Sequence, residues 1–212
     1  MHQKNVLKAG KSIDQANKAL VLLHGRGATA QDILSLSGYL TVEGYALVAP
    51  QATNHTWYPY SFLAPAAQNE PWLSSAIDLV GSVVADLEAQ GIASENIYLL
   101  GFSQGACLTL EFAARKAKRY GGLVAFTGGL IGDTLDLSRY SGDFAGTPVF
   151  LGTSDPDMHV PVSRVLESAQ QLRAMNAEVT EKIYTNMGHT ISDDEVREVN
   201  RLIFNTANAV NS

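Results

Sequence analysis

Cysteine, long apolar runs and net positive charge are all scarce in this sequence. Its 212 residues include one cysteine, which excludes an intrachain disulfide framework and a cysteine-rich metal site. No stretch approaches the roughly 18–20 consecutive apolar residues of a membrane-spanning helix. The first residues also lack the apolar segment of a signal peptide. These absences predict a cytoplasmic protein without a membrane span.

Acidic residues outnumber basic ones, since 21 Asp and Glu against 15 Lys and Arg give a net charge of −6. Nucleic-acid binding requires clustered Lys and Arg to contact phosphates, so this balance argues against a nucleic-acid partner. The hydrophobic content of 46% excludes an intrinsically disordered chain. The length suits a single domain over residues 1–212. A homodimer is compatible with the sequence, which does not decide the oligomeric state.

Short apolar runs alternate with amphipathic stretches along the chain. The predicted strands are 19–23, 45–49, 97–100, 123–126, 149–151 and 179–184, and the predicted helices are 28–40, 73–87, 106–117 and two more that start at Pro161 and Ser192. This alternation predicts an α/β fold with a mainly parallel central sheet and helices on both faces. The chain is too short for a large cap domain. One long irregular stretch, 51–70, is rich in aromatic residues, and a loop of this length is usually functional.

The segment Gly101-Phe102-Ser103-Gln104-Gly105 matches the pattern Gly-x-Ser-x-Gly. It follows a predicted strand and precedes a predicted buried helix. A nucleophile elbow needs this setting, because the sharp turn between strand and helix exposes the serine hydroxyl. The alternative is a glycine-rich turn whose serine only caps the helix. The context favours Ser103 as a nucleophile.

A serine hydroxyl needs a base to take its proton, and the base needs an orienting carboxylate. His189 lies between the last predicted strand and the last predicted helix, which suits such a base. The other histidines lie in a predicted N-terminal tail or in turns and loops: His2, His24, His55 and His159. His189 is therefore the predicted base, and a histidine that only occupies a helix entry is the alternative.

Two carboxylates follow the penultimate predicted strand. Asp155 fits Gly-x-x-Asp, counted from Gly152, and Asp157 fits Asp-x-x-Val-Pro. The second pattern is preferred, so Asp157 is the predicted acid and Asp155 is the alternative. The residue that is not the acid would shape the loop or cap the helix. Either assignment gives the chain order Ser, Asp, His, which is typical of α/β-hydrolases.

A glycine-rich turn, 22–27, follows the first predicted strand. It can aim the backbone N–H of Arg26 at a developing oxyanion, and the residue after the nucleophile, Gln104, supplies a second N–H. An ordinary turn is the alternative. Cys107, one helical turn past Ser103, is predicted to be a small buried residue. Histidines and acidic residues show no metal-ligand spacing, so neither a metal nor a cofactor is predicted.

Aromatic residues in and beside the irregular stretch are candidates for contact with a substrate. They are Trp57, Tyr58, Phe62 and Trp72. Each has an apolar ring that suits an acyl or alcohol group, and the alternative is that the rings are buried and anchor the loop.

Four segments together resemble the phospholipase/carboxylesterase family of α/β-hydrolases, which includes acyl-protein thioesterases. They are LLHGRGAT, LLGFSQGA, DPDMHVP and MGHTIS, and the resemblance spans residues 18–205. It implies the α/β-hydrolase fold, a serine nucleophile without a cofactor, and the second aspartate of the pair as the catalytic acid. The segment around Trp57 looks more like bacterial carboxylesterases than eukaryotic thioesterases.

These residues and the resemblance together predict a serine carboxylesterase that acts on small esters. The absence of a segment for a large lid and the aromatic stretch 51–70 predict a shallow groove that takes short to medium acyl chains. The alternatives are an acyl thioesterase or a lysophospholipase with the same triad. From another class comes a catalytically silent α/β-hydrolase that binds a ligand or a partner. The complete set of Ser103, Asp157 and His189 argues against the silent protein, since pure binding does not need all three.

Overall fold

Seven strands form one sheet in the computed structural model, which describes residues 1–205. The strands are β1 (Val6–Gly10), β2 (Ala19–Leu23), β3 (Ala46–Pro50), β4 (Ile97–Phe102), β5 (Gly122–Phe126), β6 (Pro148–Asp155) and β7 (Glu178–Thr185). Their spatial order is β1-β3-β2-β4-β5-β6-β7. Only the edge pair β1 and β3 is antiparallel among these strands. The predicted mainly parallel sheet is confirmed.

Helices cover both faces of this sheet. They are α1 (Ala30–Ser35), α2 (Trp72–Ala89), α3 (Gln104–Arg115), α4 (Val162–Ala174) and α5 (Asp193–Val199). Alternate residues of the central strand β2 point to opposite faces. Val21 and Leu23 pack with α2, α3 and α4, whereas Leu20 and Leu22 pack with α1 and α5. Because both faces are covered, β2 is apolar throughout and every residue in it is buried.

Three predictions about the elements are wrong. The predicted helix 28–40 is shorter, because α1 ends at Ser35 and a 3₁₀ turn follows. The hydroxyls of Ser35 and Ser37 bond to carbonyls three residues back and so favour the tighter turn. Strand β6 continues past its predicted end at residue 151 and ends at Asp155. The sequence did not indicate this extension, because Thr153 and Ser154 are polar although they are buried.

The predicted N-terminal tail is also wrong. Residues 6–10 form the antiparallel edge strand β1, which is only partly buried and therefore has no continuous apolar run. His2 is packed against the loop after β3 through contacts with Thr53 and Trp57.

Loops that follow the parallel strands meet at the carboxyl edge of the sheet, where α/β folds bind ligands. Two of these loops are equally long, the β3–α2 loop at residues 51–71 and the β5–β6 loop at residues 127–147. The helical content of the β3–α2 loop is two 3₁₀ turns, Thr53–His55 and Ala66–Asn69. Within residues 1–205, no helix is long and apolar enough to cross a membrane.

Candidate active site

Ser103 lies between β4 and α3 with φ 54° and ψ −117°. A non-glycine residue rarely adopts a positive φ, and such strain is typical of functional turns. The Ser103 N–H donates to the Phe126 carbonyl at 2.9 Å, which ties the turn to β5. A Cβ on Gly101 would lie 2.2 Å from the Gly105 carbonyl oxygen, and one on Gly105 would lie 2.1 Å from that of Leu23. Glycine is therefore required at both positions for strand and helix to pack this closely.

A continuous chain of hydrogen bonds joins Ser103, His189 and Asp157. The His189 Nε2 lies 2.8 Å from the Ser103 Oγ, and its Nδ1 lies 2.8 Å from the Asp157 Oδ2. His189 follows Gly188, which has a φ of 81° and whose N–H donates to the Ser154 Oγ at 2.8 Å. The sharp turn after β7 thus directs the imidazole back toward the elbow.

The carboxylate that reaches His189 is that of Asp157. Its other oxygen, Oδ1, accepts the N–H groups of His159 at 2.7 Å and Val160 at 2.9 Å. Burial alone would raise the pKa of the Asp157 carboxyl, but hydrogen bonds from His159, His189 and Val160 outweigh it and lower the pKa. Asp155 is the exposed last residue of β6. The preferred candidate, and not the alternative, is therefore placed beside the imidazole.

The backbone N–H groups of Arg26 and Gln104 belong to residues that line the same cavity as Ser103. Neither group donates to an acceptor within residues 1–205. Gln104 is the first residue of α3, so its N–H lies at the positive end of the helix dipole. Two such donors beside a serine hydroxyl suit a developing oxyanion.

The side chain of Arg26 has a separate structural role. Its guanidinium donates to the Thr56 Oγ1 at 2.9 Å, to the Pro59 carbonyl at 3.0 Å and to the Tyr60 carbonyl at 2.7 Å. Arginine suits this position because its planar fork carries several fixed donors. The side chain therefore fastens the β3–α2 loop to the turn after β2.

The Gln104 side chain fastens the same loop to the elbow. Its Oε1 accepts the Trp57 N–H at 2.9 Å and the Thr56 hydroxyl at 3.2 Å, and its Nε2 donates to the Tyr58 carbonyl at 2.8 Å. Gln104 is buried, and these bonds satisfy its amide. The glutamine of the elbow motif thus connects the candidate nucleophile to the aromatic segment.

The site opens into a cavity of about 480 Å³. Two of the residues predicted to contact substrate, Tyr58 and Phe62, line it together with Phe102 and Val160. Cys107 also lines it, and burial raises the pKa of this thiol to about 12, so the thiol stays protonated at neutral pH. Within residues 1–205, no group of three His, Cys, Asp or Glu side chains is arranged to hold a metal ion.

Trp57 and Trp72, also predicted to contact substrate, are not among the described residues that line the cavity. Trp57 has no exposed surface, and its indole N–H donates to the His24 carbonyl at 2.8 Å. Trp72 begins α2 and packs against the core and the His2 ring. Both rings anchor the loop, which is the alternative that the sequence left open.

Sequence reasoning missed three rings at the cavity, those of Phe102, His159 and Tyr60. The His159 ring stacks edge-on against the His189 ring with a centroid distance of 4.8 Å. Tyr60 is exposed and also lines the cavity. The position of His159 two residues after the candidate acid is the signal that could have indicated it.

The phospholipase/carboxylesterase family model matches residues 5–206. The chain belongs to this family. Among its relatives, acyl-protein thioesterase 1 of Saccharomyces cerevisiae is 26% identical over 92% of this chain and 95% of that protein. A solved structure of a phospholipase/carboxylesterase from Dyadobacter fermentans is 56% identical, with a TM-score of 0.95 over 96% of this chain and 97% of that one. The resemblance seen in the sequence is confirmed.

A second solved structure, that of esterase PE8, is 24% identical with a TM-score of 0.80, over 94% of this chain and 97% of that chain, and shows the fold alone. As a family member, the chain is an α/β-hydrolase and a serine hydrolase of carboxylic esters. No large cap covers the sheet in residues 1–205. The predicted fold and enzyme class are confirmed.

Proposed function

We propose that the protein hydrolyses small carboxylic esters through an acyl-enzyme on Ser103, with His189 as base and Asp157 as acid. The observation that carries this proposal is the chain of hydrogen bonds from the Ser103 Oγ through His189 to the Asp157 Oδ2, with 2.8 Å at each step. Nucleophilic catalysis by serine needs a base within this reach and a carboxylate that orients the base.

In the first half of the reaction, the Ser103 Oγ attacks the ester carbonyl carbon while the His189 Nε2 takes the hydroxyl proton. The carbonyl oxygen becomes an oxyanion, which the Arg26 and Gln104 N–H groups hold. Asp157 accepts the Nδ1–H of His189 and stabilises the imidazolium, and its lowered pKa keeps the carboxylate ionised at neutral pH. Collapse breaks the bond to the leaving alcohol, which takes the proton from Nε2.

In the second half, water replaces the alcohol. The His189 Nε2 takes a proton from water as the water oxygen attacks the acyl carbon, and the same two N–H groups hold the new oxyanion. Collapse breaks the bond to the Ser103 Oγ, which regains its proton from Nε2. The products are a carboxylic acid and an alcohol, and the enzyme returns to its starting state.

The lining of the cavity supports the proposal that the substrates carry short to medium acyl chains. Its wall is apolar at Tyr58, Phe62, Phe102 and Val160, and Tyr58 is almost fully buried behind the surface. Each buried methylene contributes about 0.8 kcal/mol, so affinity should rise with chain length only until the groove is filled. Because one relative is a thioesterase, an acyl thioesterase with the same three residues is the second candidate.

A fluorophosphonate probe tests the nucleophile. We expect covalent labelling of the wild type at Ser103, seen as one adduct by intact mass, and none in Ser103→Ala. That variant should stay folded and lose esterase activity by about three or more orders of magnitude, because triad residues act as a unit. Ester hydrolysis near the wild-type rate in Ser103→Ala would remove this residue from the mechanism.

The acid is tested by a matched pair of variants. Asp157→Asn should lower kcat by on the order of 10⁴-fold, because it holds the wrong histidine tautomer. Asp155→Asn should lower kcat far less, since Asp155 is exposed and its side chain does not contact His189. The reverse order of damage would show that the acid is Asp155.

Chain-length preference is tested with nitrophenyl esters from acetyl to palmitoyl and matched thioesters, below micelle-forming concentrations. We expect kcat/KM to peak at short to medium chains and oxygen esters to be preferred. A preference that keeps rising to palmitoyl would favour the thioesterase or lysophospholipase.

The proposal also includes a cytoplasmic location. A homodimer stays a prediction that sedimentation equilibrium would test.

A further inference from the structure

His2 bridges the two ends of a turn beside the active site, the 53–57 turn. Its Nε2 donates to the Trp57 carbonyl at 2.8 Å, and its Nδ1 accepts the Thr53 N–H at 3.1 Å. Both bonds can form only if the ring is neutral and carries its hydrogen on Nε2. Burial lowers the pKa of His2 even though the Trp57 carbonyl acts in the opposite sense, and this favours the neutral ring.

The position of His2 is itself fixed. Its ring centroid lies 5.5 Å from that of Trp57 and 5.2 Å from that of Trp72, and its backbone N–H donates to the Ser75 Oγ at 2.9 Å. Trp72 and Ser75 belong to α2, so His2 joins a rigid helix to the 53–57 turn. Because Trp57, Trp72 and Ser75 fix the position of His2, its two side-chain hydrogen bonds can restrain the 53–57 turn.

The 53–57 turn in turn supports the residues proposed to hold the oxyanion. Six hydrogen bonds connect it to the turn after β2 and to the start of α3. Two of them involve the Thr56 hydroxyl, with Arg26 and Gln104 as described above. The other four are Gly27 N–H to the His55 carbonyl at 2.7 Å, His55 Nδ1 to the Ala28 carbonyl at 3.0 Å, the Trp57 indole to the His24 carbonyl at 2.8 Å, and Trp57 N–H to the Gln104 Oε1 at 2.9 Å. These bonds flank Arg26 on both sides and reach the side chain of Gln104. Displacement of the 53–57 turn would therefore displace both proposed donors.

We propose that His2 is a positioning residue that fixes, through the 53–57 turn, the N–H groups of Arg26 and Gln104 in the geometry that the oxyanion needs. The inference rests on the proposed function. His2 is not among the described residues that line the cavity, so it acts through others and does not touch substrate. Because the oxyanion exists only after attack, loss of His2 should lower kcat and leave KM nearly unchanged.

Three substitutions separate the two bonds of His2. His2→Ala removes both. In His2→Gln the amide nitrogen can take the place of Nε2 and donate to the Trp57 carbonyl, and in His2→Asn the amide oxygen can take the place of Nδ1 and accept from Thr53. His2→Ala should lower kcat by roughly 10- to 100-fold, because small misplacements of catalytic groups are costly. The Gln and Asn variants should each recover part of this loss.

A boronic acid that mimics the tetrahedral intermediate gives a second readout. Its affinity should weaken in His2→Ala by the same factor as kcat/KM, whereas KM should change by less than about threefold. Lys4→Ala is the matched control near the N-terminus, since it removes an exposed ion pair with Asp86 and does not contact the 53–57 turn. That variant should keep kcat within about twofold of the wild type.

The proposal is wrong if His2→Ala keeps the wild-type kcat and boronate affinity, or if only KM changes. It is also wrong if neither Gln nor Asn restores activity while all variants are folded by circular dichroism at the assay temperature. If His2→Ala does not fold, the kcat and boronate affinity of His2→Gln and His2→Asn, compared with the wild type, provide the same test. Activity that persists in Ser103→Ala would instead show that the proposed function has failed, independently of the result at His2.

Discussion

The elbow at residues 101–105 and the β3–α2 loop border the same cavity but are held in place by different interactions. The elbow depends on the absence of a side chain at Gly101 and at Gly105, which allows β4, α3 and β2 to approach closely. The loop depends on side chains that reach it from elsewhere, namely those of His2, Arg26 and Gln104. Steric exclusion therefore fixes the candidate nucleophile, and distant hydrogen bonds fix the wall beside it.

The largest effect is expected at the elbow, where close packing leaves no room for a side chain. In Gly105→Ala the new Cβ would lie 2.1 Å from the Leu23 carbonyl oxygen, a backbone atom that cannot move without separating α3 from β2. We expect a loss of about 3 kcal/mol or more in the free energy of unfolding, and no esterase activity. Urea unfolding followed by circular dichroism would measure it.

Gly91→Ala is the control for this prediction. Gly91 has a φ of 91° but open space around its Cβ position, so only conformational strain of about 1 kcal/mol is expected. Equal losses in the two variants would mean that backbone strain, and not close packing, explains the glycine at the elbow.

The same difference explains how much the sequence could predict. The elbow was predictable because Gly-x-Ser-x-Gly records its steric requirement within five residues, and Asp157 could be preferred because Asp-x-x-Val-Pro is also local. The roles of Arg26 and His2 in the loop were not predictable, because their partners Tyr60 and Trp57 lie 34 and 55 residues away. Strand β1 was missed for a related reason, since its pairing with β3 and not its own pattern makes it a strand.

The hydrogen-bonded half of the comparison predicts a smaller effect. Arg26→Ala removes three bonds to the loop but keeps the backbone N–H proposed for the oxyanion. We expect a loss of about 1–2 kcal/mol in the free energy of unfolding and a decrease in kcat/KM. Arg26→Lys should recover less than half of both, because one ammonium cannot span three acceptors.

Arg197→Ala is the matched control, because Arg197 is an exposed arginine in a surface ion pair with Asp194. It should change stability by less than about 0.5 kcal/mol. The distinction between the two regions would be lost if Arg26→Ala behaved like Arg197→Ala in both unfolding and steady-state kinetics.

The loop region should also respond to pH. His24 is fully buried, its Nδ1 donates to the Gly25 carbonyl at 2.8 Å, and its Nε2 accepts the Ala52 N–H at 3.1 Å. Burial lowers the His24 pKa below its ordinary value of 6.5, although the hydrogen bond to Gly25 acts in the opposite sense. Below pH 6.5 the unfolded chain therefore binds a proton that the folded protein does not.

The free energy of unfolding should consequently be highest above pH 6.5 and decrease as the pH falls toward the folded-state pKa of His24. The loss is about 1.4 kcal/mol for each unit by which the pKa is lowered. His24→Phe should flatten this slope in urea unfolding between pH 8 and 5, although His2, whose pKa is also lowered, contributes in the same range. Leu22→Ala should destabilise by the same amount at every pH, and an unchanged slope in His24→Phe would assign the pH effect to another group.

The smallest expected effect concerns a polar atom of the loop that has no strong hydrogen bond. The Tyr58 hydroxyl is buried without a nitrogen or oxygen partner within residues 1–205, and the Cys107 thiol beside it offers only the weak hydrogen bonding of sulfur. A buried polar group without a partner costs about 1–3 kcal/mol, so Tyr58→Phe should leave stability unchanged or raise it by up to about 1 kcal/mol. The ring that lines the cavity is retained, so the chain-length profile of kcat/KM should not change.

Tyr140→Phe provides the contrast, because the Tyr140 hydroxyl donates to the buried Glu111 Oε2 at 3.1 Å. Its removal should lower the free energy of unfolding by about 1 kcal/mol or more, since the carboxylate loses a donor. If Tyr58→Phe destabilised the protein as much as Tyr140→Phe, the Tyr58 hydroxyl would have a partner, and the loop would be held by one more bond than His2, Arg26 and Gln104 provide. If it did not, the stability of the loop would depend on the bonds from those three side chains and on burial of its rings.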